Sequence, residues 1–204
     1  MIDLLEDRDI ITDSEKEFIN NIVLGAETNW QYGYGTSRRY PCYMHVLSPR
    51  NDANEEIPWS PYFNFFKDII DRFLNKHNLV PNGYKVLRSA LNDQINHSDE
   101  HGDIHLDYPF DNYLIIIYLN DNDKGGTNVY DCTRDDLQTS HIKGTYLFND
   151  DLSDGKIWEL PLKKHVKNEA FKIALYNGKF WHSAGCGEHN KRRTICVFAI
   201  EPNK

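Results

Sequence analysis

The sequence predicts a mainly β fold, an antiparallel sandwich or barrel, with flanking helices in the N-terminal part. After residue 83, short apolar and β-branched runs alternate with turns rich in Gly, Asn and Asp, which is typical of such folds. Before that point, apolar residues recur at helical spacing. Because 204 residues suit one compact unit, we expect a single domain over 1–204, helical over about 1–80 and β over about 84–200.

Two helices are predicted before the β-rich region. Ser14 and Glu17 have the spacing of a capping box at the start of the first. Ser60 and Pro61 suit the start of the second, which should end near Asn78, before a Pro-Asn-Gly turn. The second helix carries an apolar stripe, expected to pack against a sheet, that consists of Phe63, Phe66, Ile69, Ile70, Phe73 and Leu74.

The strands are predicted from short runs of apolar and β-branched residues that lie between turn residues. They cover 84–91, 104–108, 113–119, 127–131, 144–149, 171–176 and 194–200, with 40–47 as a further candidate. The sequence shows no internal repeat, low-complexity tract or linker, which agrees with a single domain.

Composition argues against several classes of protein. The formal net charge of -8 argues against a nucleic-acid backbone as the main partner, although a local basic groove stays open. No apolar run approaches the roughly 20 residues of a membrane span, and the acidic N-terminus lacks the pattern of a secretory signal. The cysteines form no CxxC pair, which favours free thiols in a reducing, cytoplasmic location; they are Cys42, Cys132, Cys186 and Cys196.

The segment HSDEHGDIHLDY (97–108) contains the pattern His-x-Asp three times. This pattern can offer an imidazole and a carboxylate to one metal ion. In the third copy, Ile104 and Leu106 frame the pattern with a period of two. His105 and Asp107 would therefore point to one face of a strand, about 7 Å apart. The first two copies lack such an apolar frame, and we interpret them as a polar loop.

A rival interpretation takes His97 to His101 as H-x-x-E-H, the inverted zinc-protease motif. That motif needs a helix, so that both histidines project from one face. Residues 96–103 contain no apolar side chain that could bury a helical face, and Gly102 interrupts the run. The zinc-protease interpretation is therefore the weaker one.

A third ligand and two basic residues lie near the C-terminus. His182 follows a strand, a glycine turn and an aromatic pair, and ten residues later Arg192, Arg193 and Thr194 open the last strand. Two histidines and one carboxylate on a β scaffold form the facial triad of non-haem iron(II) oxygenases, which leaves three coordination positions open. The same ligands also suit zinc, so ligand identity alone leaves the metal open.

These motifs, in their order along the chain, resemble those of the iron(II)/2-oxoglutarate-dependent dioxygenases. The set comprises His-x-Asp at 105–107, YLND with a Gly-Gly-Thr turn at 118–127, His182, and Arg192 followed by x-Thr. It looks closest to the prolyl 4-hydroxylase-like branch, including small forms encoded by phages, which would act in a host cytoplasm. The resemblance covers about residues 84–200, and IIIYLNDNDKGGTNVY (115–130) is similar to that branch's second-strand signature.

The resemblance implies a double-stranded β-helix, a cupin-like jelly roll, with the triad at its open end. His105, Asp107 and His182 would bind Fe(II), whose remaining positions accept 2-oxoglutarate and O2, with ascorbate in support. Neutral histidines and one carboxylate leave a single positive charge on the ferrous site, which suits a 2-oxoglutarate dianion. The implied reaction hydroxylates a C–H bond and releases succinate and CO2.

The far carboxylate of 2-oxoglutarate needs a permanently charged, planar partner, which arginine supplies. Arg192 has the family's spacing from the distal histidine, and Thr194 lies on the same strand face. Arg193 would then point the other way, but a one-residue shift would exchange the two arginines. Tyr118 matches a tyrosine that hydrogen-bonds the same carboxylate in related hydroxylases, and packing within the sheet is its alternative role.

Further residues border the predicted site. Arg88 and Asn92 lie on the strand before the triad, where they face either the pocket or the sheet. Aromatic residues next to the ligands shape the pocket or pack in the core; they are Tyr108, Phe180 and Trp181. A cluster with the character of a recognition surface, or else of a loop without a ligand role, consists of Trp30, Tyr32, Tyr34, Arg38, Arg39 and Tyr40. His141 and His189 are interpreted as loop and surface residues.

Three functions are compatible with these motifs, because one fold and one triad host many substrates. The first is a hydroxylase of peptidyl-proline or a similar residue. The second is an oxygenase of the same superfamily that acts on a small molecule or a nucleobase, although the acidic charge weighs against nucleic acid. The third is a non-catalytic, cupin-like module that binds a metal or ligand, for which loss of a triad residue or of the basic residue would be diagnostic.

Overall fold

Two antiparallel sheets form the computed structural model, which describes residues 2–34, 41–50, 57–95, 104–136, 160–185 and 191–204. Its strands are β1 (Leu4–Asp7), β2 (Gln31–Tyr34), β3 (Pro41–Ser48), β4 (Tyr84–Ile95), β5 (Tyr113–Tyr118), β6 (Asn122–Thr133), β7 (Leu162–Asn168), β8 (Ile173–Asn177), β9 (Phe180–Ala184) and β10 (Arg192–Pro202). Its helices are α1 (Asp13–Phe18), which a π-helical turn continues over Ile19–Val23, and α2 (Phe63–Lys76).

The larger sheet has seven strands in the order β1-β8-β5-β10-β4-β3-β2, and the smaller sheet has three in the order β7-β6-β9. All neighbouring strands run antiparallel. The two sheets pack face to face, and the helices cover the outer face of the larger one. The described chain is therefore a mainly β jelly roll with flanking N-terminal helices, which confirms the predicted fold class.

Side-chain alternation gives the larger sheet two buried faces. On its outer face, Ile117 and Phe198 pack with the apolar stripe of α2. On its inner face, Ile116 and Val197 pack with Val129 of the smaller sheet. We call this space between the two sheets the interior. Burial on both faces explains why β5 has the sequence of an uninterrupted apolar run.

The predicted helices form, with a change at the start of α1. Thr12 caps this helix: its Oγ1 accepts a hydrogen bond from the Glu15 N–H at 3.4 Å, and the Glu15 carboxylate accepts one from the Thr12 N–H at 2.8 Å. The predicted capping pair of Ser14 and Glu17 is wrong by two residues, because Thr12 already has the extended backbone that a cap needs. At the start of the second helix, α2, the predicted residue Ser60 accepts a hydrogen bond through its Oγ from the Tyr62 N–H at 3.1 Å, and the predicted stripe is buried.

The sequence pattern does not predict β1, β2, β7 or β9. All four lie at an edge of a sheet, where a strand has one partner and tolerates polar and charged residues. Because β1, β2 and β3 join the larger sheet, the first 80 residues are not purely helical. The predicted strand 104–108 is reduced to a single β-bridge between His105 and His182, and 144–149 lies outside the described residues.

Three cysteines, Cys42, Cys132 and Cys196, are buried free thiols, as their spacing predicts, and Cys186 lies outside the described residues. Burial raises the pKa of the Cys196 thiol well above its usual range, so this side chain stays protonated and packs as an apolar group. None of the helices in the described part of the chain is long and apolar enough to cross a membrane.

Candidate active site

Three metal-binding side chains meet in the interior. His105, Asp107 and His182 each offer a ligand atom, and these atoms all lie within 4.8 Å of one another. Nε2 of His182 is 3.6 Å from Oδ2 of Asp107, and the ring centres of the two histidines are 4.4 Å apart. Two imidazoles and one carboxylate are the donor set of the facial triad, and the described residues contain no second group of this kind.

A β-bridge between His105 and His182 brings the ligands together. The N–H of each residue donates to the carbonyl oxygen of the other, at 2.9 and 3.1 Å. The apolar residues on either side of His105 pack with Trp181 behind the smaller sheet, so His105 and Asp107 face the interior. The predicted alternation of side chains is therefore present in this segment, although a full strand is not.

Neighbouring groups set the protonation of two of the ligands. Nδ1 of His182 lies 3.3 Å from the carbonyl oxygen of Phe180, which favours a proton on Nδ1 and leaves Nε2 as the ligand atom. Burial alone would raise the pKa of Asp107, but Arg88 and both histidines hold it well below its usual range. Asp107 is therefore ionised at physiological pH, as metal binding requires.

Arg193 lies in the same interior and is only 5% exposed. Its Nη1 donates to Oε1 of Gln94 at 2.8 Å, and its Nη2 donates to Oγ1 of Thr127 at 3.1 Å. Its Nε is buried without a hydrogen-bond partner, and no carboxylate of the described chain pairs with the guanidinium. Burial lowers the pKa of Arg193. A buried cation without a counter-ion is costly until an anion binds it.

Arg192 and Thr194, the predicted anchor pair, lie on the opposite face of β10. The Arg192 side chain is 54% exposed and pairs with the buried carboxylate of Asp93, which also accepts a hydrogen bond from the Thr194 hydroxyl at 3.1 Å. Strand alternation explains the difference: Val197 belongs to the interior cluster, so Arg193, at an even spacing from it, faces the interior too. The structure thus places Arg193 in the interior and Arg192 on the opposite face of β10.

Tyr118 is buried beside Arg193. Its hydroxyl donates to Oγ1 of Thr127 at 2.9 Å, so Tyr118 and Arg193 share one acceptor. The centre of its ring is 5.9 Å from Cζ of Arg193. Burial raises the pKa of Tyr118 to about 12, against the opposing effect of Arg193, and the hydroxyl therefore stays protonated and able to donate.

Tyr176 is an interior residue that the sequence pattern does not single out. Its ring centre is 5.0 Å from that of His182. Burial and the Asp107 carboxylate raise its pKa well above the usual range, whereas Arg193 lowers it. Tyr176 thus contacts His182 and belongs to the same buried cluster as Tyr118, the neighbour of Arg193, which places the triad and Arg193 in one interior. The sequence signal that could have identified Tyr176 is the alternation of residues 171–176, which directs Tyr176 into the interior together with Ala174.

Arg88 and Asn92 both face the interior from β4. Nη2 of Arg88 donates to Oδ1 of Asp107 at 2.9 Å. Asn92 pairs across the ladder with Ile195, a member of the interior cluster, and its Oδ1 is buried without a hydrogen-bond partner among the described residues. With Gln94, these residues give the site a polar row along one strand.

The remaining residues that the sequence analysis names as possible site residues lie in different parts of the structure. Tyr108 and Phe180 belong to the interior cluster, whereas Trp181 packs behind the smaller sheet. Trp30 packs against the core on the helix side, and Tyr32 is 60% exposed on an edge strand. The described side chains do not include Tyr34, Arg38, Arg39, Tyr40, His97, Asp99, His101, Asp103, His141 and His189.

We predict that His105→Ala, Asp107→Ala and His182→Ala each weaken Co(II) binding by more than about 100-fold, because each removes one of three ligands. Absorbance titration of the protein with Co(II) measures the affinity. His97→Ala and His101→Ala are the controls and should bind Co(II) like the parent. Loss of binding in His101→Ala, with binding retained in His105→Ala, would move the site to the second His-x-Asp copy.

No family model and no curated protein matches the sequence. Solved structures, in contrast, match it over almost its whole length. An oxidoreductase of the 2OG-Fe(II) oxygenase family from Burkholderia pseudomallei aligns with a TM-score of 0.67 at 14% identity, over 98% of this chain and 86% of that one.

Two further structures show the same likeness. HygX from Streptomyces hygroscopicus, with nickel and 2-oxoglutarate bound, aligns with a TM-score of 0.61 at 14% identity, over 98% of this chain and 83% of that one. The epimerase SnoN, in complex with Fe3+, alpha ketoglutarate and nogalamycin RO, aligns with a TM-score of 0.63 at 12% identity, over 98% and 78%. The chain therefore has the fold of the 2OG-Fe(II) oxygenases, as the resemblance of its motifs predicts.

Proposed function

We propose that this protein is an Fe(II)- and 2-oxoglutarate-dependent oxygenase. The observation that carries the proposal is the buried guanidinium of Arg193, which shares the interior with His105, Asp107 and His182 and has no carboxylate partner among the described residues. A zinc site or a metal-storing module needs the three ligands but no cation buried nearby. A dianion that binds the metal at one end and arginine at the other accounts for both features.

The residues present fit the metal and the cosubstrate. Two imidazoles and a carboxylate suit Fe(II) and leave three coordination positions for the 2-oxo acid and dioxygen. Arg193 would bind the far carboxylate through its planar fork, and the hydroxyls of Tyr118 and Thr127 would donate to the same carboxylate. Gln94 and Thr127 already hold the guanidinium, so little further ordering accompanies binding.

Fe(II) and 2-oxoglutarate, when bound, supply the oxidising chemistry that converts 2-oxoglutarate and O2 to succinate and CO2 and hydroxylates a C–H bond. The task of this chain is to orient the reactants and to exclude water. Leu87, Tyr108 and Phe180 are buried members of the cluster that lines the interior around the triad. Such an apolar lining strengthens the electrostatic contacts of the site and limits side reactions with water.

At a finer level, we propose a prolyl 4-hydroxylase-like reaction on peptidyl-proline, which the motifs over 84–200 support. A small organic molecule is the second candidate substrate, and structural neighbours favour it. HygX has been solved with hygromycin B bound and SnoN with nogalamycin RO. The net charge of -8 disfavours nucleic acid. A single domain over 1–204 and a cytoplasmic location stay predictions.

We predict that Arg193→Met raises the 2-oxoglutarate concentration for half-saturation by at least about 10-fold, since a hydrogen bond to a charged group contributes about 1.5–3 kcal/mol. Anaerobic titration with Fe(II) and 2-oxoglutarate, followed by the metal-to-ligand charge-transfer band, measures this concentration. Arg192→Met is the matched control, because it removes the same side chain from the adjacent position outside the interior. It should leave half-saturation within about 3-fold of the parent.

Thermal unfolding separates this loss of binding from a loss of folding. Ligand-free Arg193→Met should unfold at the same temperature as the parent or higher, because the substitution removes a buried cation that lacks a counter-ion among the described residues. A loss of 2-oxoglutarate affinity in Arg192→Met alone would return the anchor to Arg192, and an equal loss in both variants would contradict the assignment of Arg193 as the specific anchor.

Succinate formation tests the substrate class. Proline-rich peptides should raise succinate release above the rate without substrate, because binding of the true substrate couples 2-oxoglutarate turnover to hydroxylation. Free amino acids and polar small molecules are assayed in parallel, with His182→Ala as the inactive control. Stimulation by small molecules and not by peptides would select the second candidate and reject the prolyl substrate.

A further inference from the structure

The two oxygen atoms of the Asp107 carboxylate have different neighbours. Oδ2 lies 3.6 Å from Nε2 of His182, on the side where the ligand atoms gather. Oδ1 accepts a hydrogen bond from Nη2 of Arg88 at 2.9 Å. The side chain of Asp107 is 5% exposed and that of Arg88 is 25% exposed, so solvent screens this ion pair only weakly.

An irregularity in the ladder between β4 and β10 accompanies the position of Arg88. The register shifts between Ala199 and Ile200, which leaves Leu87 as an extra residue on β4. Bulges of this kind re-aim side chains and are frequent next to active sites. Leu87 belongs to the interior cluster, and Arg88 follows it and reaches Asp107. The position of Arg88 is therefore set by the strand β4.

We propose that Arg88 is a positioning residue that holds Asp107 as a one-oxygen metal ligand and sets the charge of the centre. This inference rests on the proposed function in that the triad holds a divalent metal ion. Carboxylates bind metals through one oxygen or through both. While Oδ1 accepts from Arg88, Asp107 offers Oδ2 alone, and a coordination position that a chelating carboxylate would fill stays open.

Arg88 also acts through its charge. The guanidinium competes with the metal for one carboxylate and repels the cation, so it opposes metal binding. The same positive charge favours an anion at the metal. A divalent ion, Asp107 and Arg88 together carry two positive charges, one more than the ion and Asp107 alone, so Arg88 strengthens the attraction for the end of 2-oxoglutarate that binds the metal. Removal of Arg88 should therefore strengthen metal binding and weaken cosubstrate binding, whereas loss of a merely supporting residue weakens metal binding.

Titration of Arg88→Met and Arg88→Lys with Co(II) tests whether Arg88 weakens metal binding while it strengthens cosubstrate binding. Arg88→Met should bind Co(II) at least about 10-fold more tightly than the parent, and its Co(II)-loaded form should bind 2-oxoglutarate at least about 10-fold more weakly by calorimetry. Arg88→Lys keeps the charge and should stay within about 3-fold of the parent in both affinities. Arg192→Met is the control, because its partner Asp93 lies outside the interior.

Water-proton relaxation by the Mn(II)-loaded protein reports on the coordination itself. A freed Oδ1 would displace one of about three exchangeable waters, so the relaxivity of Arg88→Met should fall by about a third. Weaker Co(II) binding in Arg88→Met, or an affinity and relaxivity equal to those of the parent, would overturn the proposal. If Arg88→Met does not fold, Arg88→Gln must show the tighter Co(II) binding instead. A parent protein that binds no Co(II) would refute the proposed function and not this inference alone.

Discussion

Both faces of the larger sheet are buried, and this constraint fixes where each side chain of its central strands points. A residue of β5, β8 or β10 lies either against the helices or in the interior, and the next residue takes the other side. On β10, this rule directs Arg193 inward and leaves Arg192 with Asp93 on the outer face. On β5 and β8, it directs Tyr118 and Tyr176 inward. The inward positions of Arg193, Tyr118 and Tyr176 follow from one alternation.

The same constraint gives the interior its electrostatics, because an inward side chain loses water and each buried charge needs a partner. Asp107 has Arg88 and the two histidines as neighbours. Arg193, in contrast, donates only to neutral acceptors in the described part of the chain, Gln94 and Thr127. The proposed binding of an anion would offset this imbalance of charge, and the low polarity of the lining would strengthen the attraction.

Much of the site could be predicted from local sequence patterns, whereas the rest depends on how the strands are arranged in the sheets. The alternation around His105 and the motif order that led to His182 were readable in the sequence. Which of Arg192 and Arg193 faces the interior was not readable, because both faces of β10 are buried and the sequence does not show which of them is the inner one. The contact of Arg88 depends on a register shift in the pairing of β10 with β4, which no local pattern encodes. The central strands and α2 carry their own apolar signal, whereas the edge strands β1, β2, β7 and β9 have one partner and weak patterns.

The central claim is that the triad and Arg193 bind the two ends of one ligand, and an anaerobic crystal structure with Mn(II) and 2-oxoglutarate tests it most directly. Mn(II) takes the place of Fe(II) and prevents turnover. The expected structure has the ion on His105, Asp107 and His182 and the far carboxylate within hydrogen-bond distance of Arg193. A carboxylate bound at Arg192, or an ion held by other histidines, would contradict the claim.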